Sequence, residues 1–274
     1  MTTTLRPTEP LQHAADGTRS RNYQVCVNSR PVGGIHLVMR PEYGPDVARI
    51  EDLHIDEPDR RRGRGTVAAL AAEEVVRGWG CRRIEVSVPG DADASLRLAT
   101  ALGYLPGSRH LAKPLNGTRP ELPAGSSARP MTEGEYGPWL AHEREAFARS
   151  LIKQGMSAPE AYARTDEGHA KYLADGLATE NTLISVLEHE GARVGVLWLG
   201  LWPETGFVLE VEVDAEHRGH GHGRALMLLA EQQAVSGGKD RMTLNVFAGN
   251  TPAERLYESL GYRTTAHHLY KELL

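Results

Sequence analysis

Arg218-Gly219-His220-Gly221-His222-Gly223-Arg224 stands where a strand pattern hands over to a helix pattern, and its reading decides the fold. Before it, Phe207-Val208-Leu209-Glu210-Val211-Glu212-Val213 alternates apolar and polar residues at period two, as a half-buried strand does. After it, Ala225 to Ala234 is rich in good helix formers and is closed by Gly237-Gly238. Three glycines at alternate positions let the backbone turn tightly and bring successive N–H groups near a bound group. The helix start adds roughly half an elementary positive charge, so the turn suits an anion such as phosphate. Arg218, Arg224 and the histidines His217, His220 and His222 are expected to reinforce that sign. No Lys-Ser/Thr pair follows, which weighs against a P-loop. The G-x-G-x-G spacing, with no acid ending the next strand (Met242 to Phe247), disfavours a dinucleotide fold.

Downstream the pattern becomes specific. Arg218-x-x-Gly221-x-Gly223, the strand at Thr243–Phe247 and the run from Asn250 through Leu260-Gly261-Tyr262 resemble the pyrophosphate loop and C-terminal half of the GNAT acyl-CoA-dependent N-acetyltransferases. The final run is sound helix chemistry: Asn250 can cap, Pro252 fits the first turn and Gly261 stops the helix.

An upstream copy repeats the resemblance. Ile50 to Ile55 parallels the strand, Arg60-Arg61-Arg62-Gly63-Arg64-Gly65 reproduces R-x-x-G-x-G, and a helix (Val67 to Val76), a strand (Arg83 to Val88) and Leu102-Gly103-Tyr104 follow. The expected architecture is therefore α/β: two GNAT-like domains, each a mixed, mostly antiparallel β-sheet flanked by α-helices. Residues 1–115 form the first and 128–274 the second, with a Pro/Gly/Ser-rich linker over 116–127. The copies differ. Helices are expected over 133–153 and 159–176 in the second, whereas Glu9 to Asn22 is too short and polar for such a pair in the first. Counting back from the Leu-Gly-Tyr turn, Tyr257 and Asn250 correspond to Ala99 and Ala92. The first domain reads as a degenerate, non-catalytic partner and the second as the catalytic one.

The resemblance implies acetyl-CoA as co-substrate and direct acetyl transfer to an amine. It places the pyrophosphate on Arg218, Gly219, His220, Gly221, His222, Gly223 and Arg224. The CoA arm falls on the backbone of Val211 and Val213 and on Asn245, Asn250, Ala253 and Tyr257. Tyr257 matches the family's general acid, since a phenol of pKa ~10 can protonate a departing thiolate. A base must take a proton from an ammonium acceptor. Glu210 and Glu212, two apart and so on one face of the strand, are both candidates. Trp198 and Trp202 likewise share a face, and read as core residues that can also shape the acceptor pocket.

The acceptor is expected to be a primary amine of a small molecule, an antibiotic or a metabolite. A peptide or protein N-terminus is the second choice, and an acetyl-CoA-binding regulator is the rival class. A Fem-type aminoacyl transferase, which also doubles this fold, does not depend on such loops. The net charge of -5 argues against nucleic acid as a partner. The histidine cluster lacks Cys or Asp at ligand spacing, so no metal is expected. Two cysteines, Cys26 and Cys81, make no disulfide framework, and no stretch suits a signal peptide or membrane span. The expected location is the cytoplasm, and the oligomeric state stays open between monomer and homodimer.

Overall fold

The computed structural model describes residues 2–40, 44 and 46–273. The chain divides into two compact units, Met1–Ser108 with Thr265–Leu274, and Arg109–Thr264. The first unit is built on strands β1 (Thr3–Pro7), β2 (Gln12–His13), β3 (Arg19–Val27), β4 (Arg30–Met39), β5 (Val47–Ile55) and β6 (Arg83–Pro89). Helix α1 (Arg64–Gly78) links β5 to β6, and α2 (Asp93–Ala101) follows. Pairing is antiparallel from β1 through β5, and β5 runs parallel to β6. Residues 8–22, where the second repeat carries two helices, hold only β2 and the start of β3.

The second unit contains β7 (Leu105–Pro114) from Arg109 onward, β8 (Ser126–Pro130), helices α3 (Glu133–Lys153) and α4 (Ala158–Tyr172), and strands β9 (Thr182–His189), β10 (Ala192–Trp202) and β11 (Thr205–Val213). Helix α5 (His222–Ser236), β12 (Arg241–Phe247) and α6 (Thr251–Ser259) complete it. Its strands lie in the order β7-β12-β11-β10-β9-β8, all antiparallel from β11 to β8, with β11 parallel to β12. The sheets are thus mixed and mostly antiparallel, as expected. Helix α3 coincides with its expected span, but α4 is shorter than 159–176. The backbone leaves the helix at Leu173 (φ -135) and turns through Gly176 in the left-handed region.

Alternation on β10 sorts the core into two layers. Leu197 and Leu199 face Leu226, Met227 and Ala230 of α5 in one fully dry cluster. Val196 and Trp198 face the other way, with Trp139 of α3 and Leu173. Each wholly buried leucine contributes about 1.5–3 kcal/mol, so α5 is anchored by several such contacts. Trp202 lies on the same side as Trp198, stacked on Tyr172 of α4 at 5.6 Å.

The last strand of each repeat is exchanged. The strand β13 (Arg263–Glu272), encoded at the end of the second repeat, pairs antiparallel with β6. In the second unit the place beside β12 is taken by β7, encoded in the first repeat. Residues at one constant spacing record the exchange. Glu73 of α1 is held by Lys271 at 2.7 Å, beneath the buried ring of Tyr104. Glu231 of α5 is held by Lys113 at 2.7 Å, beneath the buried Tyr262. Leu269 and Leu111 are likewise buried in the cores of the first and second unit respectively. The compact units therefore differ from the repeats by one strand each.

Candidate active site

The glycine loop enters α5 through left-handed backbone. Gly219 and Gly221 adopt φ of 84 and 86, and Gly221 is the N-cap. A Cβ at either would meet nothing within 4 Å, so handedness rather than space requires glycine there. The first repeat has the same backbone path, with Arg61 at φ 56 and Gly63 at φ 72. The leading arginine has a role that the motif alone did not reveal. Arg218 donates from Nε to the carbonyl of Val213 at 3.1 Å, and Arg60 does the same to Ile55 at 2.7 Å. Each arginine braces the strand's end against the turn while its exposed guanidinium leaves further donors for a phosphate. Arg224 donates to Ser259 Oγ at 2.7 Å. His222 is buried. Burial first, then His189, His217 and His220, push its proton affinity below the usual imidazole range. This lowering runs against a positive charge on His222, one of the three histidines expected to reinforce the sign of the turn. Among the described residues no group of three His, Cys, Asp or Glu side chains could hold a metal ion.

Above the loop the parallel strands part. Pairing of β11 with β12 covers only Gly206 to Val208, so the β12-facing edge of Leu209–Val213, which includes Val211 and Val213, has no strand partner among the described residues. Such an edge offers backbone donors to an extended amide-bearing chain. On its other side β11 pairs with β10 through a bulge at Leu209: Trp198 opposes Glu210 and Leu199 opposes Val208. The bulge sharpens the local twist beside the parting strands. Gly195 permits this close approach, since a Cβ there would lie 2.3 Å from the Glu212 carbonyl.

Glu210 and Glu212 both face helix α3, but their surroundings differ. Glu212 accepts from His142 Nε2 at 2.9 Å and lies 3.9 Å from Arg218. Glu210 has a buried Oε2 without a hydrogen-bond partner. Burial, then the Glu143 and Glu212 carboxylates, push its proton affinity up to about 8, with only the Trp139 indole pulling it down. Around it stand Trp139 and Trp198, edge-to-face at 5.6 Å, and the buried Trp198 indole N–H has no partner among the described residues. His169 of α4 packs on Trp198 at 5.9 Å and is hydrogen-bonded through Nε2 to the buried carboxylate of Glu143. Trp139, His142, Glu143 and His169 were not legible as site residues. On helices rich in charge, nothing in their spacing separates them from solvated positions.

Tyr257 lies on α6 with 9% of its surface exposed, its ring 6.0 Å from that of Tyr262. Burial alone pushes its phenol up to about 12. Asn250 is the N-cap of α6, accepting from the Ala253 N–H at 3.4 Å, while Asn245 is exposed on β12. In the first unit the corresponding helix start is Ala92, without a side-chain cap, and Ala99 stands in place of the phenol.

A cavity of about 410 Å³ elsewhere in this unit, lined by Leu122, Met131, Ser185, Leu229 and Gln233 among others, has no carboxylate in its wall. The titratable groups converge instead where β11 leaves β12.

An open strand edge over a helix-capping glycine turn, with a carboxylate of raised proton affinity nearby, suits an acyltransferase. Residues 2–104 and 145–262 match the Acetyltransferase (GNAT) family. The chain belongs to that family and is a GNAT N-acetyltransferase, which implies the use of acetyl-CoA. It is 31% identical to a mycothiol acetyltransferase of Thermobispora bispora over 283 aligned positions, covering 94% of this chain and 91% of that one. It is also 29% identical to the uncharacterized N-acetyltransferase YycN of Bacillus subtilis, which covers 53% of this chain and 96% of its own length. Among solved structures, a GCN5-related N-acetyltransferase from Sphaerobacter thermophilus shares the fold, with TM-score 0.59 and 20% identity over 92% of this chain and 80% of that one. No helix among the described residues is long and apolar enough to cross a membrane.

Proposed function

We propose that the second repeat transfers the acetyl group of acetyl-CoA to the primary amine of a small molecule, with Glu210 as base and Tyr257 as acid. The observation that carries this is the contrast between the two strand carboxylates. Glu212 is tied to His142 and lies near Arg218, whereas Glu210 has a free, buried oxygen and an affinity for protons near 8. A carboxylate of that strength takes a proton from an ammonium of pKa near 10 far more readily than an ordinary one does.

The CoA pyrophosphate lies on the Gly219–Gly223 turn and the N-terminus of α5, with Arg218 and Arg224 at its rim. The pantetheine arm lies along the open edge at Val211 and Val213, and Asn245, Asn250 and Ala253 border the arm beyond. The arriving R–NH3⁺ gives a proton to Glu210. Its nitrogen then bonds to the thioester carbonyl carbon and the C–S bond breaks. The ammonium gives up two protons in all: one ends on the sulfur with the help of Tyr257, and one leaves to solvent through Glu210. Helices α3 and α4, with Trp139 and Trp198, wall the acceptor side. The likeness to proteins named for acetylating mycothiol supports a small-molecule acceptor. The first repeat, 1–115, lacks these helices and the phenol and is non-catalytic, joined through the linker 116–127 to the catalytic 128–274.

Thiol release from acetyl-CoA, measured with a panel of small amines, tests this. At least one amine stimulates release, and Glu210→Gln loses about 10²-fold or more of that turnover. Turnover by E210Q equal to that of the parent protein overturns the assignment.

A further inference from the structure

Glu143 and His169 form a buried hydrogen-bonded pair on the acceptor side that the transfer itself does not use. Its placement is specific. On α3, Trp139 and Glu143 are four apart and so share a face. Trp139 packs on Trp198, and Trp198 is the direct cross-strand neighbour of Glu210. His169 packs on the same Trp198 from α4 and grips the Glu143 carboxylate. Both side chains are largely removed from water, at 14% exposure for His169 and 7% for Glu143. The pair therefore fixes a carboxylate one indole away from Glu210.

We propose that Glu143 and His169 act as a positioning pair that makes Glu210 the stronger base of the two strand carboxylates, with His169 holding the Glu143 charge in place. The proposal rests on the assignment of Glu210 as base. The groups around Glu210 divide clearly by element. From α3 come Glu143, the Trp139 indole and, through Glu212, His142. From α4 comes His169, from β10 Trp198, from its own strand Glu212, and beyond Glu212 lies Arg218. After burial, Glu143 is the largest of the causes that raise the proton affinity of Glu210, ahead of Glu212. The Glu212 side chain is 26% exposed and that of Glu143 only 7%, so water screens the strand carboxylate more than the helix one.

The test needs no acceptor. The full chain is labelled with ¹³C at the glutamate side-chain carboxyls and titrated by NMR from pH 5 to 10, with acetyl-CoA absent. One carboxyl titrates with a midpoint near 8, and its absence from E210Q identifies it. In Glu143→Gln that midpoint falls by on the order of one pH unit, because a fixed like charge has been removed without changing shape. In His169→Ala it also falls, since the Glu143 carboxylate loses the donor that fixes it on the Glu210 side. His169→Gln keeps a donor and holds the parent midpoint within about 0.3 unit, a rescue that simple loss of packing does not produce. Where E143Q does not fold, Glu143→Asp retracts the charge by one methylene and gives a smaller fall. A midpoint that stays in place in the Glu143 variants, or rises in H169A, overturns the pair's role. If E210Q retains full turnover, it is the base assignment that fails.

Discussion

Replacing Tyr257 by Phe removes one oxygen and nothing else from the proposed site, and the structure sets how much that should cost. The phenol is buried on α6, with no hydrogen bond to another described residue, and burial alone lifts it to about 12. A leaving thiol of cysteine-like acidity has pKa about 8.5, so full transfer of the phenolic proton to a free thiolate is uphill by about 3.5 units, or about 5 kcal/mol. On the proposed mechanism Tyr257 therefore acts less as an ordinary acid than as a donor that stabilises negative charge as it builds on sulfur, with protonation completed as that charge develops. Removing one such preorganised donor costs about 10²–10³-fold in kcat, and the KM for acetyl-CoA shifts by less than about 3-fold. Folding stability is unchanged or slightly higher, because the lost hydroxyl had no partner. Thiol release under saturating amine gives kcat, and thermal melting followed by circular dichroism gives stability. Because the phenol titrates near 12, it contributes no alkaline fall in kcat below pH ~10. Turnover of Y257F within about 3-fold of the parent makes Tyr257 a core residue only. A fall with midpoint at or below 10 in the parent, absent from Y257F, refutes the argument from burial.

Glu210 links activity to stability with opposite signs. Its folded proton affinity, about 8, exceeds the ordinary 4.5, so the folded state binds the extra proton between these values and loses stability as pH rises through that window. The base form appears over the same upper range, so turnover falls as pH drops through about 8. Urea unfolding at pH 9 should show E210Q more stable than the parent by a few kcal/mol, with little difference at pH 4; no gain at pH 9 removes the strained carboxylate. Gly221→Ala forces a Cβ into left-handed backbone at about 1–2 kcal/mol and disturbs the N–H cradle. Calorimetry should show acetyl-CoA binding weakened by about 10-fold or more, and unchanged binding would place the pyrophosphate elsewhere. Lys113→Met and Lys271→Met each strand a buried carboxylate, Glu231 at 6% and Glu73 at 3% side-chain exposure. Each should lose about 3–5 kcal/mol in urea unfolding. A loss confined to one of them would break the equivalence of the two clusters.

The pattern of elements was legible because each depends on local chemistry. Period-two alternation gave β11, the helix formers before Gly237 gave α5, and Asn250, Pro252 and Gly261 bounded α6. The glycine turn was legible for the same reason, since only a left-handed path explains glycine at 219 and 221. Which glutamate is singled out was not legible. Glu210 and Glu212 are equivalent in a strand pattern, and their difference comes from a helix about 70 residues earlier in the chain that brings His142 to one and Glu143 towards the other. The exchange of β7 and β13 was equally hidden. Local pattern shows that Leu105–Pro114 is a strand but not which sheet receives it, because pairing of distant segments is a tertiary choice.

That exchange lets a repeat without the counterparts of Tyr257 and Asn250 still constrain the other. The first repeat has alanines where the second has Tyr257 and Asn250, and it lacks the two helices of the acceptor wall. Its own strand β7 nevertheless carries Leu111 into the core beneath α5, and carries Lys113 to the buried Glu231 on that helix. The helix so anchored is the one whose N-terminus opens at Gly221. Substitutions at positions 92 and 99 therefore leave the second unit intact, whereas loss of β7 would expose its core and strand a buried carboxylate at the helix that presents the loop. The helix that the glycine turn opens thus depends for its packing on residues encoded in the other repeat, Leu111 and Lys113, whether or not that repeat performs any chemistry itself.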